Sequence, residues 1–252
     1  MAPATAPEST LTCAFGRPVN PPLQPLPDES LPPTRRSRTV LAAHRARFGS
    51  DAPVWIFGYA SLIWRPEFDA AERRSATVAG WHRCLHMRSR INRGTAERPG
   101  LVFALVSGGA CRGVVYRLPA RQLDEQFARL WAREMPTGVY EPRWLQARTT
   151  QGTVPALAFT LSRRSPNWTG PIDDPQMLEI LRHASGRYGT TLDYLLQTAQ
   201  ALREHGVVDR EIERLVRLAH RHGLCASVPA HQAVKTGRDV AGQAQDKARE
   251  RV

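Results

Sequence analysis

One acidic side chain interrupts the apolar face of a predicted helix. At 100° per residue, Glu134 returns to within roughly 20° of the direction of Leu123, so a carboxyl group ends the apolar stripe. Burial disfavours the ionised form of a carboxyl group and raises its pKa toward the range useful for proton transfer near neutral pH. Glu134 is therefore our candidate general acid/base. The helix spans residues 121–135, and its apolar stripe comprises Leu123, Phe127, Leu130 and Trp131.

The same pattern has a structural alternative. Glu134 pairs with a buried arginine, or the last helical turn frays into solvent, and the pattern alone does not separate these cases from catalysis. Residues 136–140, PTGVY, end the helix and turn the chain. Glu134 therefore lies at the end of an element, where catalytic groups are often found.

A second stretch, residues 54–64 with the sequence VWIFGYASLIW, combines a buried strand with small residues. Residues 54–59 are apolar, aromatic or glycine, which predicts a strand buried on both faces. Ala60 and Ser61 are small enough for a ligand to approach the backbone N–H groups. The alternative is a core strand followed by an ordinary turn.

Other polar residues do not form a recognised catalytic pattern. His82 and His86 have the spacing of metal ligands on a helix, but their segment predicts a strand and no Glu follows His82. Ser61 lacks the Gly-x-Ser-x-Gly context of a hydrolase nucleophile. We therefore expect neither a metal site nor a serine nucleophile.

The elements that must position these residues are strands first and helices later. Two predicted hairpins join residues 101–106 to 111–118 and residues 144–150 to 154–161. With residues 54–59 and a strand over 77–87, they make five or six strands, enough for a curled sheet or small barrel. Because there is no regular βαβ alternation, the order predicts an α+β domain. Further helices are predicted over residues 39–48, 177–184, 191–204 and 209–222, the last with Asp209 as N-cap.

Composition limits the class of partner. The chain has 252 residues and a formal net charge of +12, which suits an anionic small substrate as well as a polyanion. The sequence contains no block of five or more consecutive Lys or Arg residues, so we expect no nucleic-acid partner. Four cysteines occur without CxxC spacing, and no long apolar run or signal-peptide pattern is present. We expect a cytoplasmic monomer with no membrane partner.

Both ends of the chain have a composition unlike that of a folded core. Residues 1–38 are crowded with Pro, Ser and Thr, and we predict a disordered Pro-rich leader there. Residues 229–252 carry charged and small polar residues without apolar periodicity, so we predict a flexible charged tail. The predicted folded domain is residues 39–228.

Set side by side, two segments resemble the ChaC family of glutathione-specific γ-glutamylcyclotransferases. They are GYASLIW, residues 58–64, and WAREM, residues 131–135. Shorter segments follow the same order: GWHR at 80–83, RGT at 93–95, GVVYRLP at 113–119, TGVY at 137–140 and ALAF at 156–159. The resemblance covers about residues 53–224. The family usually has Gly where this chain has Ala60, and a backbone with positive φ there would be costly for alanine.

The resemblance implies a small mixed β-barrel with flanking helices and a reaction without a cofactor. In that reaction the α-amine of the γ-glutamyl group attacks its own γ-carbonyl, which releases 5-oxoproline and, from glutathione, cysteinylglycine. It implies Glu134 as the general acid/base and Arg93 as the partner of a substrate carboxylate. The expected substrate-binding residues are Tyr59, Ala60, Ser61, Leu62, Ile63, Trp64, Arg93 and Tyr140.

Two other functions remain open. A related enzyme would act on other γ-glutamyl amino acids or amines and would differ in the groups accepted beyond the scissile bond. The other is a ligand-binding or protein-interaction module that keeps the fold without catalysis. Ala60 and the Pro-rich, basic ends of the chain favour this module. The carboxylate of Glu134 argues against the second.

Overall fold

A computed structural model describes residues 34–225. The predicted leader lies outside these residues except for its last five positions, 34–38. The predicted tail, residues 229–252, lies wholly outside them. Of the described residues, 34–224 belong to one compact unit. The boundaries of the folded domain stay a prediction. None of the helices within the described part of the chain is long and apolar enough to cross a bilayer.

Five strands form a closed barrel. They are β1 (Trp55–Gly58), β2 (Glu72–Ser89), β3 (Gly100–Arg117), β4 (Glu141–Thr149) and β5 (Gly152–Thr160), in the order β1-β3-β2-β4-β5. Neighbouring strands are antiparallel except β1 and β5, which close the barrel in parallel, with Trp55 opposite Ala156. Ile56, Phe57 and Leu157 are fully buried in this region. The predicted burial of the first strand on both faces is confirmed.

One predicted hairpin is wrong. Residues 101–106 and 111–118 do not fold back on each other, because β3 runs without a break from Gly100 to Arg117. Gly108 and Gly109 have φ angles of 106° and 71°, and they lie where the register with β2 shifts between Ala79 and Trp81. The two glycines form a bulge that bends the strand instead of a turn that reverses it. The other hairpin is confirmed, since β4 pairs with β5 from Glu141 to Thr160.

Helices surround the barrel. They are α1 (Arg35–Phe48), the short α2 (Ser61–Trp64), α3 (Leu123–Glu134), α4 (Asp174–His183), α5 (Thr191–Glu204) and α6 (Arg210–Arg221). A two-stranded hairpin, β6 (Ser185–Gly186) and β7 (Gly189–Thr190), precedes α5. The helix predicted over 39–48 begins four residues earlier, at Arg35, where Thr34 caps it. The predicted cap of α6 is confirmed, because Asp209 accepts hydrogen bonds from the N–H groups of Glu211 and Ile212.

Candidate active site

Tyr59 holds the loop after β1 through both its side-chain hydroxyl and its backbone carbonyl. Its hydroxyl donates to the carbonyl of Phe159 in β5 at 2.9 Å, and its own carbonyl accepts from Nη1 of Arg83 at 2.5 Å. A Cβ added to Gly113 of β3 would lie 2.3 Å from the carbonyl oxygen of Gly58, so β3 presses closely on the start of the loop. The loop is therefore rigidly positioned by the barrel wall.

Ala60 does not have the positive φ that would favour glycine. Its φ is −146°, outside the left-handed region in which glycine is favoured. The side chain is buried, with 5% of its surface exposed. The backbone cost expected for alanine at this position therefore does not arise.

Three of the predicted loop residues anchor α2. Leu62 and Ile63 are buried, and the Ile63 carbonyl accepts from the hydroxyl of Tyr116 at 3.3 Å. The indole N–H of Trp64 donates to Oγ1 of Thr198 in α5 at 3.2 Å. These contacts fix the loop against the barrel and α5, and they account for the apolar residue types without a substrate.

Glu134 is the last residue of α3, at the end of a buried face. Phe127, Leu130 and Trp131 are buried on that face, and the ring of Trp131 meets Phe159 at a centroid distance of 6.2 Å. Only 13% of the Glu134 side chain is exposed. The predicted direction of Glu134 is thus the direction in the structure, and its carboxyl group is held at the barrel.

The structural alternative for Glu134 is also realised, since its carboxylate has an arginine partner. Nε of Arg133 lies 3.0 Å from Oε1 of Glu134. Burial raises the pKa of the Glu134 carboxyl, the positive charge of Arg133 opposes that rise, and the negative charge of Glu67 adds to it. Because burial outweighs the ion pair, the pKa of Glu134 lies above its usual range.

Three tyrosine hydroxyls lie close enough to Glu134 for its negative charge to raise their pKa values. Tyr59 and Tyr140 are hydrogen-bonded to each other, and burial together with the charge of Glu134 raises the pKa of both hydroxyls well above the usual value. Burial also raises the pKa of Tyr194 to about 12, and its hydroxyl is hydrogen-bonded to Ser61. All three phenols therefore stay protonated, and they face Glu134 as neutral hydrogen-bonding groups.

The guanidinium group of Arg93 lies over the ring of Tyr194. Its guanidinium carbon is 5.0 Å from the centroid of the Tyr194 ring, and its Nη1 donates to the carbonyls of Tyr188 and Thr190 at 2.5 and 3.3 Å. Only 5% of Arg93 is exposed. These bonds tie the β6–β7 hairpin and the start of α5 to the loop that carries Arg93, so part of its hydrogen-bonding capacity serves the fold. Its contact with a substrate carboxylate stays a prediction.

The structure thus brings Tyr59, Ser61, Tyr140 and Glu134 into one cluster, with Arg93 at its edge. Tyr140 also borders an open cleft of about 710 Å³, which is lined by Arg36, residues 137–141, Ser162 and residues 164–167. Ala60 lies within the loop, whereas Leu62 and Ile63 point into the core.

Three further residues near Glu134 were not identified from the sequence. Tyr194 is one aromatic residue among the apolar positions of α5 and is typical of a core residue. Arg133 precedes Glu134 and could have been noted as a partner, but adjacent residues on a helix do not normally face each other. Glu67 lies 67 positions before Glu134, and no local pattern connects the two.

The cluster contains no metal-binding arrangement. Within residues 34–225, no group of three or more His, Cys, Asp or Glu side chains is placed to hold a metal ion. His82 lies 2.9 Å from the Gly108 carbonyl through Nδ1, and Nδ1 of His86 lies 3.4 Å from Oγ1 of Thr169. A buried carboxyl group with a raised pKa, surrounded by neutral hydroxyls, is suited to accepting and returning a proton.

Comparison with known proteins agrees with this fold. A family model described as ChaC-like protein matches residues 54–222. The glutathione-specific gamma-glutamylcyclotransferase of Escherichia coli (strain K12) is 39% identical over 177 residues, which are 70% of this chain and 77% of that protein. Glutathione-specific gamma-glutamylcyclotransferase 1 of Homo sapiens is 30% identical over 173 residues, which are 67% of this chain and 78% of that protein.

A solved structure supports the architecture. The crystal structure of a gamma-glutamyl cyclotransferase specific to glutathione from yeast gives a TM-score of 0.61 at 18% identity, covering 68% of this chain and 97% of that one. The fold is therefore that of the γ-glutamyl cyclotransferases, an α+β fold with a small mixed barrel and flanking helices, and the expected fold class is confirmed. The chain belongs to the ChaC-like family.

Proposed function

We propose that this protein is a lyase, a glutathione-specific γ-glutamylcyclotransferase that converts glutathione to 5-oxoproline and cysteinylglycine. The observation that carries the proposal is the Glu134 carboxyl, nearly buried, with a raised pKa, beside the loop that begins at Tyr59. The two relatives described above, both named for this activity, support the choice of substrate.

The reaction needs one proton acceptor that later becomes a donor. The α-ammonium of the γ-glutamyl group must lose a proton before its nitrogen attacks the γ-carbonyl carbon. When the bond from that carbon to the cysteine nitrogen breaks, the departing nitrogen must gain a proton. Glu134 takes the first proton and delivers it to the leaving nitrogen, which a carboxyl group does best when its pKa lies close to the working pH.

The other residues of the cluster confine and polarise the substrate. Folding the γ-glutamyl chain so that its amine lies against its own carbonyl supplies much of the rate, because the reacting atoms are already close. Backbone N–H groups of the loop at Ala60 and Ser61 offer donors for the developing oxyanion. The hydroxyl of Tyr59 is already committed to the Phe159 carbonyl, so Tyr59 and Tyr140 shape the pocket. Arg93 has five N–H donors and uses Nη1 on two carbonyls, which leaves donors for a substrate carboxylate.

The test is the Glu134→Gln variant of the full chain, incubated with glutathione while 5-oxoproline and cysteinylglycine are measured by mass. We expect at least a 10³-fold loss of kcat, because the amide neither accepts nor returns the proton. Glu125→Gln is the matched control, since Glu125 lies on the same helix in an exposed i,i+4 pair with Arg129. Wild-type rates for Glu134→Gln would disprove its role, and circular dichroism of both variants checks that they are folded.

A comparison of substrates distinguishes a glutathione-specific enzyme from one that acts on other γ-glutamyl compounds. Turnover of glutathione is compared with turnover of γ-glutamyl dipeptides and γ-glutamylamines under the same conditions. A clear preference in kcat/KM for glutathione supports the proposal, and equal or higher values for the other compounds would assign the chain to a broader γ-glutamyl cyclotransferase. Binding of glutathione without turnover by the wild-type protein would instead indicate a module without chemistry.

The proposal also covers the extent of the catalytic domain, the compartment and the oligomeric state. We infer that the catalytic domain is residues 39–228, and that the protein works in the cytoplasm as a monomer. The lack of paired cysteine spacings supports a reducing compartment. Light scattering of the purified chain measures its mass in solution, and a mass twice that of the chain would contradict the monomer.

A further inference from the structure

Glu67 has a backbone conformation that its residue type disfavours. Among residues 34–225 it is the only residue other than glycine with a positive φ, at 55°. The left-handed region costs free energy for a residue with a Cβ, and such strain persists only where surrounding contacts enforce it. The contacts of the Glu67 side chain show what holds it there.

Four charged side chains form a continuous chain that ends at Glu134. Oε1 of Glu67 accepts from Nε of Arg65 at 2.5 Å, and its Oε2 lies 3.4 Å from Nη1 of Arg133. Nε of the same arginine is 3.0 Å from Oε1 of Glu134. Arg133 also donates to the carbonyl of Arg65. One guanidinium therefore bridges two carboxylates, one from the loop after α2 and one from the end of α3.

These charges are largely shielded from water. The exposed fractions of the Glu67, Arg133 and Glu134 side chains are 18%, 12% and 13%. Charges interact more strongly where little solvent screens them. The other ionisable groups that face Glu134 are the hydroxyls of Tyr59, Tyr140 and Tyr194, which are neutral because burial raises their pKa values. Arg65, whose Nε is 2.5 Å from Oε1 of Glu67, offsets part of the Glu67 charge, so the balance among Arg133, Glu67 and Arg65 sets the charge that Glu134 experiences.

Without Glu67, Arg133 would be a poor neighbour for a group that must gain and lose a proton. A single unshared arginine favours the ionised carboxylate and weakens it as a base. Glu67 counters the guanidinium charge and raises the pKa of Glu134, in the same direction as burial. The backbone conformation of Glu67 thus places its carboxylate where it offsets the charge of Arg133.

We propose that Glu67 is a positioning residue that holds the Arg133 guanidinium and offsets its charge, so that Glu134 alternates between its protonated and ionised forms during turnover. The inference rests on the proposed function. Glu67 itself need not touch the substrate, since it acts through Arg133.

The direct test is the pH profile of kcat/KM for Glu67→Gln, which keeps the size of the side chain and removes its charge. The unbalanced Arg133 lowers the pKa of Glu134, so the acidic limb of the profile moves to lower pH by about one unit. Because Glu134 is then a weaker base, kcat near neutral pH falls about tenfold. Arg133→Gln removes the opposing charge and moves the acidic limb to higher pH.

Glu72→Gln is the matched control. Glu72 also lies between two arginines, accepting from Nε of Arg74 at 2.5 Å and from Nε of Arg117 at 3.1 Å, but no contact connects it to Glu134. Its pH profile should equal that of the wild-type protein. A residue that only supports the fold would change the melting temperature without moving the limb. An unmoved limb in Glu67→Gln, or shifts of the same sign in the Glu67 and Arg133 variants, would overturn the proposal.

Two additions keep the test decisive. Glu67→Asn removes the same charge with a residue that tolerates the left-handed conformation, and it should move the limb in the same direction if Glu67→Gln fails to fold. Titration of the ¹³C carboxyl signal of Glu134, assigned by its loss in Glu134→Gln, reports the pKa shift without turnover. Inactivity of the wild-type protein on glutathione would contradict the proposed function, whereas an active protein with an unshifted Glu134 signal in Glu67→Gln would contradict this inference.

Discussion

At the residue scale, Ala60 shows that a methyl group in the substrate loop need not disturb its backbone. Ala60 has φ −146°, and the chain enters α2 directly after it. The contacts that position the loop come from its neighbours: Tyr59 is bonded to Phe159 and Arg83, and Trp64 to Thr198. Glycine is therefore not required here to supply a positive φ.

Replacing Ala60 with Gly tests this view. We expect kcat/KM for glutathione to change by less than about twofold, because neither the loop conformation nor its contacts depend on glycine. The free energy of unfolding should fall by about 0.5–1 kcal/mol, since glycine loses more conformational entropy on folding. Urea titration measures the second quantity. A gain of more than about tenfold in kcat/KM would show instead that the Ala60 methyl obstructs the substrate.

At the element scale, one buried ion pair joins the barrel, the substrate loop and α6. Arg83 of β2 has only 1% of its side chain exposed, and its Nη2 lies 2.6 Å from Oδ2 of Asp209, the N-cap of α6. Its Nη1 donates to the carbonyls of Tyr59 and Arg112. Nε of Arg83 is buried without a hydrogen-bond partner, so the guanidinium depends on these contacts.

Replacing Asp209 with Ala should destabilise the protein by about 3–5 kcal/mol, because it leaves a buried arginine charge without its partner and removes the helix cap. Asp173→Ala is the matched control. Asp173 caps α4 by accepting from the N–H of Gln176, and its loss should cost about 1 kcal/mol. Denaturant midpoints measure both variants. Equal losses in the two would show that the pair with Arg83 adds nothing to capping.

At the scale of the whole molecule, charge favours an anionic substrate. The chain carries a formal net charge of +12, and glutathione carries two carboxylates and one ammonium at neutral pH. A positive protein attracts an anion over distances comparable with the Debye length, which is about 10 Å at 0.1 M salt. The charge therefore acts on association, whereas proton transfer at Glu134 is governed by its own neighbours.

The dependence of turnover on ionic strength separates these effects. Between about 0.02 and 0.5 M salt we expect kcat/KM for glutathione to fall roughly threefold to tenfold, with kcat nearly constant. The amide of the glycine carboxyl, γ-glutamylcysteinylglycinamide, is the control substrate because it lacks the net negative charge. Equal salt dependence for the two substrates would contradict electrostatic attraction as the cause.

Features that depend on local periodicity and local capping could be predicted from the amino-acid sequence. The position of Glu134 on the buried side of α3 follows from 3.6 residues per turn, and the N-terminal ends of α5 and α6 follow from the side chains of Thr190 and Asp209 that cap them. The first strand was predicted because its residues are apolar on both faces. Family resemblance, carried by short motifs in a constant order, added the fold class and the expected reaction.

Features that depend on contacts between distant segments could not be predicted and are seen in the folded chain. Gly108 and Gly109 are typical of a turn, and they become a bulge because β2 pairs with both halves of β3. Tyr194 looks like a core residue until α5 brings it to Ser61 and Glu134. The charge balance at Glu134 depends on Glu67, which reaches Arg133 only because the barrel places the loop after α2 beside the end of α3. A pKa is set by neighbours in space, and proximity in space across such distances is not encoded in any local pattern.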